Sequence, residues 1–218
     1  MFKWIVLSLT LLSLCACEKG PSLGPGDDDL LASENQADCG FVQNSYGQRV
    51  SWKSNIPVKL KLHGSYPTEY EDALNKAAQH WNDAAGMTLF TFSRVTDSQT
   101  NSAAKDSKST VHVLPAWPWQ EAPKKNYQAL TTLYWRSNQI YEADLILNDQ
   151  FFNFFTYDTP SMGSGVHLES LMVHELGHVL GLKHRDNTIA SVMWSILSSD
   201  TIRNTLTQAD RDTIKCEY

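Results

Sequence analysis

His174-Glu175-Leu176-Gly177-His178-Val179-Leu180-Gly181-Leu182-Lys183-His184 reads H-E-x-x-H-x-x-G-x-x-H, and each fixed position in it has a chemical task. On a helix, His174 and His178 stand one turn apart on one face, so both imidazoles can bind a single metal ion. Glu175 sits one step round from His174, close to that ion without competing for it. A carboxylate there can take a proton from a metal-bound water. Gly181 suits the left-handed residue that ends a helix and turns the chain. That turn brings His184 back as a third ligand. Three imidazoles and a water make an open tetrahedral zinc site, the catalytic kind rather than the structural kind.

The short H-E-x-x-H pattern alone arises readily by chance. Requiring Gly181 and His184 as well cuts chance matches by roughly a factor of twenty for each residue. The flanks agree with a helix over residues 166–182, because Leu168, Leu171, Met172, Leu176, Val179 and Leu180 recur at helical spacing. The bland alternative is an amphipathic core helix whose histidines are merely hydrogen-bonded. That reading serves one histidine well and three at this spacing poorly.

The motif, together with Met193 downstream in Ser191-Val192-Met193, resembles the metzincin clan of zinc endopeptidases, and within it the matrixins. The resemblance covers roughly residues 52–218. It implies an α+β metzincin-like zincin fold: a twisted, mostly parallel five-stranded sheet with an antiparallel edge strand. Two long helices pack on that sheet, and a C-terminal helix closes the chain. It also implies one catalytic zinc on His174, His178 and His184, with Glu175 activating the zinc-bound water. Met193 would be a hydrophobic floor beneath the three imidazoles, and Asp210 a carboxylate bracing the turn that carries it. The implied activity is hydrolysis of peptide bonds in extended polypeptides. The chain departs from the family after His184. Arg185 stands where a Ser is usual, and Ser195 and Leu197 stand where matrixins have Pro and Tyr. The specificity-pocket wall is therefore altered. Ser195 also occupies the place of the extra Tyr ligand of astacin-like enzymes, so no further protein ligand is expected.

With 218 residues and a net charge of −6, the chain has room for one domain with a core and shows no nucleic-acid-binding character. Residues 1–16 form a signal segment: Lys3, then the apolar run Trp4 to Leu14, too short to span a membrane as a mature helix. Leu14-Cys15-Ala16-Cys17 resembles a bacterial lipoprotein signal, with Cys17 the lipidated residue; an ordinary secretory signal is the alternative. The expectation is an exported monomer, lipid-anchored to the cell envelope, at the outer membrane if the cell is Gram-negative. Residues 17–38, rich in Gly and Pro and carrying Asp27-Asp28-Asp29, read as a solvated tether, and residues 39–218 as the catalytic domain.

Cys39 and Cys216 then remain as two thiols in an exported protein and are expected to pair, a closure worth up to about 4–5 kcal/mol. A rival reading has Cys39-Gly40 block the zinc as matrixin propeptides do, although the flanking residues of that switch are missing. Within the domain, Val58–Leu62 alternates as a strand, and Thr68 can cap a helix over residues 69–85 that buries Trp81. His80 reads as an ordinary helix residue, and Met87 to Phe92 as a second strand. Val111 to Leu114 is a short strand, and a second zinc at His112 lacks partners in the loop that follows. Trp117 and Trp119 read as exposed aromatics at the cleft rim. Ala129 to Trp135 is expected as the exposed edge strand that pairs with substrate, and Ala143 to Leu147 as the last strand of the sheet. Phe151 to Tyr157 suits core or cleft wall equally. Calcium has Asp149 and Asp158 as its candidate ligands and no motif behind it. Thr207 can cap a closing helix over residues 208–215. Other functions open to the sequence are an envelope-tethered peptide- or glycan-binding module that keeps zinc without catalysis, and a hydrolase of cell-wall peptides.

Overall fold

The structure, a computed structural model, describes residues 16–19, 36–95, 103–158, 163 and 165–218. The expected signal segment, apart from Ala16, and most of the expected tether lie outside them. Cys17 falls within a described strand, but its side chain lies outside the description.

Five strands of the domain form the expected sheet. They are β2 (Val58–Leu62), β3 (Phe90–Arg94), β4 (Thr110–Leu114), β5 (Ala129–Arg136) and β6 (Gln139–Asn148). A further strand, β1 (Ala16–Lys19), lies beyond β5, giving the order β1-β5-β6-β4-β2-β3. All neighbours are parallel except β5 and β6, which form a hairpin through Ser137 and Asn138, with Ser137 at φ 54°. The edge of β5 is therefore not bare as expected, since Ala16–Lys19 runs parallel along residues 130–133. A row of unpaired N–H and C=O groups is a template for another strand, and here the chain supplies one itself.

Two helices cover the sheet, α1 (Glu71–Ala85) and α2 (Leu168–Val179), and a short α3 (Gln208–Ile214) ends the chain. No helix of the described residues is long and apolar enough to cross a membrane. Helix α1 begins later than Thr68 suggests. Pro67 leads into a 3-10 turn over Thr68–Tyr70, and no side chain caps it. Its other end is as expected, because Gly86 takes φ 70° and stops the helix. Strand β3 likewise starts at Phe90 rather than Met87, after Leu89 N–H has bonded the side chain of Asn82.

The core lies between α1, α2 and the sheet. Trp81 is fully buried there, and its indole N–H donates to the carbonyl of Val173 at 2.8 Å. An indole that fills a core and satisfies its own N–H is worth about 3–5 kcal/mol against Ala. It also ties α1 to the middle of α2.

Trp117 is not a rim aromatic. It is 2 % exposed, packs with Leu130 and Ile146 under the proline-broken segment, and donates to Lys124 O at 2.9 Å. The Phe151–Tyr157 stretch divides. Phe154–Phe155 pairs as β7 with Val166–His167 (β8), while Phe151 and Tyr157 face solvent. His112 is buried, stacks on His63 at 4.6 Å and bonds Thr110 Oγ1 at 2.9 Å.

Candidate metal centre

Every residue of α2 is buried, so the helix carrying the motif is held on all sides rather than along one stripe. Its C-terminus is fixed three times over. Leu182 N–H bonds Gly177 O at 3.0 Å and Gly181 N–H bonds His178 O at 2.8 Å, the paired bonds of a Schellman ending. Trp52 Nε1 donates to Val179 O at 2.7 Å. Gly181 has φ 101°, and a β-carbon there would collide with the carbonyl oxygen of Val50. Only glycine lets the chain turn sharply enough at that point to send His184 back.

The turn succeeds. His178 Nε2 lies 3.0 Å from His174 Nε2 and 3.1 Å from His184 Nε2, so three imidazoles meet at one point. The opposite ring nitrogens fix which atom faces that point. His174 Nδ1 donates to Val192 O at 2.7 Å and His178 Nδ1 to Leu182 O at 2.8 Å. Carbonyls only accept, so both Nδ1 atoms carry the proton and both Nε2 atoms present lone pairs. Burial, reinforced by mutual repulsion, holds the His174 ring well below its usual basicity and His178 down to about 3. His184 is lowered by burial too. Neutral rings with lone pairs converging at this range repel unless a cation lies among them. The donor set therefore fits zinc.

Glu175 is fully buried beside this point and accepts a hydrogen bond from Thr131 Oγ1 of β5 at 2.6 Å. That bond joins the strand expected to bind substrate to the carboxylate expected to move protons. Nothing in the sequence marks Thr131, a Thr in an alternating strand.

Met193 lies under the helix, 2 % exposed. A β-carbon on Gly177 would run into Met193 Sδ and the ring of Trp81, so the glycine inside the motif lets floor and helix meet. The turn carrying Met193 is braced by Asp210. Its carboxylate accepts from Ser191 Oγ at 2.5 Å and from Val192 N–H at 3.3 Å. It also closes a capping box with Thr207 at the start of α3. Val192 in turn holds His174, so Asp210 acts on a ligand through one residue. Beyond Met193, Arg203 bonds the carbonyls of Trp194 and Ile196 at 3.0 and 2.8 Å and lies 5.3 Å from the Trp194 ring. An arginine thus shapes the segment where the family's Pro and Tyr are absent, and the sequence offered no pointer to it.

A cavity of about 750 Å³ opens beside His184, lined by Met193, Arg185, Thr213 and Cys39 among others. Cys39 forms a disulfide with Cys216, Cα atoms 6.4 Å apart. Its sulfur is thereby committed away from the histidines.

The model of the matrixin family matches residues 104–218, more than half of the chain. No curated protein sequence matches it. Among solved structures, a structure of myroilysin is similar with 14% identity and a TM-score of 0.41, over 74% of this chain and 79% of that one. A hatching-enzyme zinc-protease from the medaka fish Oryzias latipes is similar with 14% identity and a TM-score of 0.36, over 84% and 96%. On the family match, and with the three-histidine centre in place, the chain belongs to the matrixins, metzincin-type zinc proteases.

Proposed function

We propose that the protein is an endopeptidase that binds an extended polypeptide along β5 and cleaves it at the three-histidine centre. The convergence of His174, His178 and His184 around one point, with Glu175 next to it in the helix, carries this reading. Zinc bound there supplies an electrophile that polarises the scissile carbonyl and acidifies a water. The residues of the chain do the rest. Glu175 accepts the proton of the attacking water and passes it to the leaving amine, as general base and then general acid. Thr131 holds the Glu175 carboxylate in place through Oε2. The outer edge of β5 orients the peptide backbone by hydrogen bonds, independent of most side chains. The pairing of Ala16–Lys19 with that edge supports its capacity to take an extended strand, which substrate would displace. The sequence Leu14-Cys15-Ala16-Cys17 further supports attachment to the cell envelope through a lipid on Cys17.

The test is zinc content together with cleavage of a quenched protein substrate, in the wild type and Glu175→Gln. One zinc at this centre in both, with cleavage lost by several orders of magnitude in the variant, is the expected result. Cleavage retained in a clean Glu175→Gln preparation overturns the role of Glu175.

A further inference from the structure

We propose that Arg203 selects the substrate: its guanidinium lies where a side chain next to the cleaved bond enters the protein, and it favours an acidic residue there. This rests on the endopeptidase reading above and names the class of peptide that the same centre takes.

Contacts around the centre set the place. A peptide along the edge of β5 crosses the centre at Thr131, whose hydroxyl is bonded to Glu175. Towards the start of that strand, the buried side chain of Gln128 donates to Leu197 O at 2.9 Å, so the segment after Met193 flanks the peptide on this side. Facing that segment is the first turn of α2, where Ser170 precedes His174 by one turn and shares its face. Arg203 joins the two. Its backbone N–H donates to Ser170 Oγ at 2.7 Å, and its guanidinium donates to the carbonyls of Trp194 and Ile196. A side chain reaching from the centre into the space between residues 194–197 and α2 therefore meets the guanidinium.

The way the guanidinium is held decides what it prefers. Two carbonyls fix its plane and the Trp194 ring lies 5.3 Å from it, so the fork is oriented before a peptide arrives. Its Nε is shielded from solvent, and charges interact more strongly where water is excluded. That charge reaches the centre: burial and the two other imidazoles lower the basicity of His174 most, and the guanidinium adds to them. An arginine stays charged throughout the working pH range, and its planar fork matches a carboxylate. A Glu or Asp side chain arriving there offsets the charge. A Leu strips water from it and returns nothing. Glu169, beside Ser170 in the helix, is engaged instead with His80 and Asn204, both at 2.8 Å.

The experiment uses the zinc-loaded full chain and quenched peptides that differ only at the two residues flanking the cleaved bond. Each of these is set in turn to Glu, Gln or Leu, and the cut is located by mass spectrometry. At one of the two positions, kcat/KM should be about tenfold or more higher for Glu than for Leu, with Gln between them. In Arg203→Gln that ratio should fall to about one, while Arg203→Lys, which keeps the charge, should retain the preference. A residue that only supports the segment would slow every peptide alike and leave the ratio unmoved. Equal rates for the Glu and Leu peptides in the wild type overturn the proposal, whether or not the variants fold. A ratio unchanged in Arg203→Gln overturns it too. In both cases cleavage itself leaves the endopeptidase reading standing. No cleavage of any peptide by the zinc-loaded wild type defeats that reading, and this proposal falls with it.

Discussion

At the scale of single residues, the centre depends on side chains that meet no metal. Thr131 is the sharpest case, since its hydroxyl donates to the buried carboxylate of Glu175, the group proposed to gain and release a proton. A hydrogen bond to the charged form of a carboxylate favours that form. In Thr131→Val, Glu175 keeps its place in the helix but loses this donor and holds a proton more readily. We expect kcat/KM to fall by about one order of magnitude, roughly 1.4 kcal/mol of transition-state stabilisation. The acid limb of the pH–rate profile should move to higher pH, with zinc content unchanged. A loss of activity with an unshifted profile would mean that Thr131 serves packing alone. The three histidines, Glu175 and Gly181 were legible because their spacing is imposed by helix geometry and by one ion. Thr131, Arg203 and the carbonyl of Val192 were not. Each acts through a contact between residues far apart in sequence, and no local pattern records such a contact.

At the scale of elements, most strands and helices could be read from periodicity, and the misreadings share a cause. Trp117 looks exposed in a segment broken by prolines. It is buried because Leu130 and Ile146, on the next two strands, offer a surface that local sequence does not reveal. Capping chemistry at Thr68 predicts a helix from Glu69, but Thr68–Tyr70 forms a 3-10 turn after Pro67 and α1 starts at Glu71. The pairing of β4 with β6 holds a feature that periodicity also hides. Asp144 sits 1 % exposed between them, bonded to Thr110 Oγ1 at 2.5 Å through Oδ1, while Oδ2 has no partner among the described residues. Burial, with the Glu142 carboxylate adding to it, pushes the Asp144 carboxyl up to about 7. Its unfolded value is near 3.8, so between about 4 and 7 the folded state holds a proton that the unfolded state has lost. This group therefore favours folding at low pH, and its contribution is lost as pH rises through 7. Asp144→Asn removes the titration. The variant should be more stable than the wild type at pH 8, by on the order of 2 kcal/mol, with the advantage shrinking towards pH 5. Thermal unfolding at the two pH values measures it, and an equal difference at both would refute the linkage.

At the scale of the whole molecule, the two ends of the domain are fastened together, and the fastening reaches the active-site helix. Cys39 is bonded to Cys216 across 177 residues of sequence. Next to it, Glu217 pairs with Arg49 and Lys53, which holds its carboxyl below the usual range although burial opposes this. Tyr218 donates its hydroxyl proton to Leu180 O at 2.7 Å, on the last turn before Gly181. The C-terminus therefore grips the point from which the chain swings His184 to the centre. A closure of this length is worth about 5 kcal/mol in the chain-entropy model, as an upper figure. The double variant Cys39→Ser/Cys216→Ser should lose several kcal/mol of that in chemical denaturation, and a reductant should lower the wild type to the same midpoint. Cleavage at low temperature should survive, because the two cysteine sulfurs are bonded to each other and neither is a ligand of the centre. The opposite pattern identifies a different molecule. If reductant or Cys39→Ser raised cleavage of the folded enzyme while leaving its stability unchanged, Cys39 would be a blocking thiol on the zinc, and the staple at the base of the domain would be a gate at its centre.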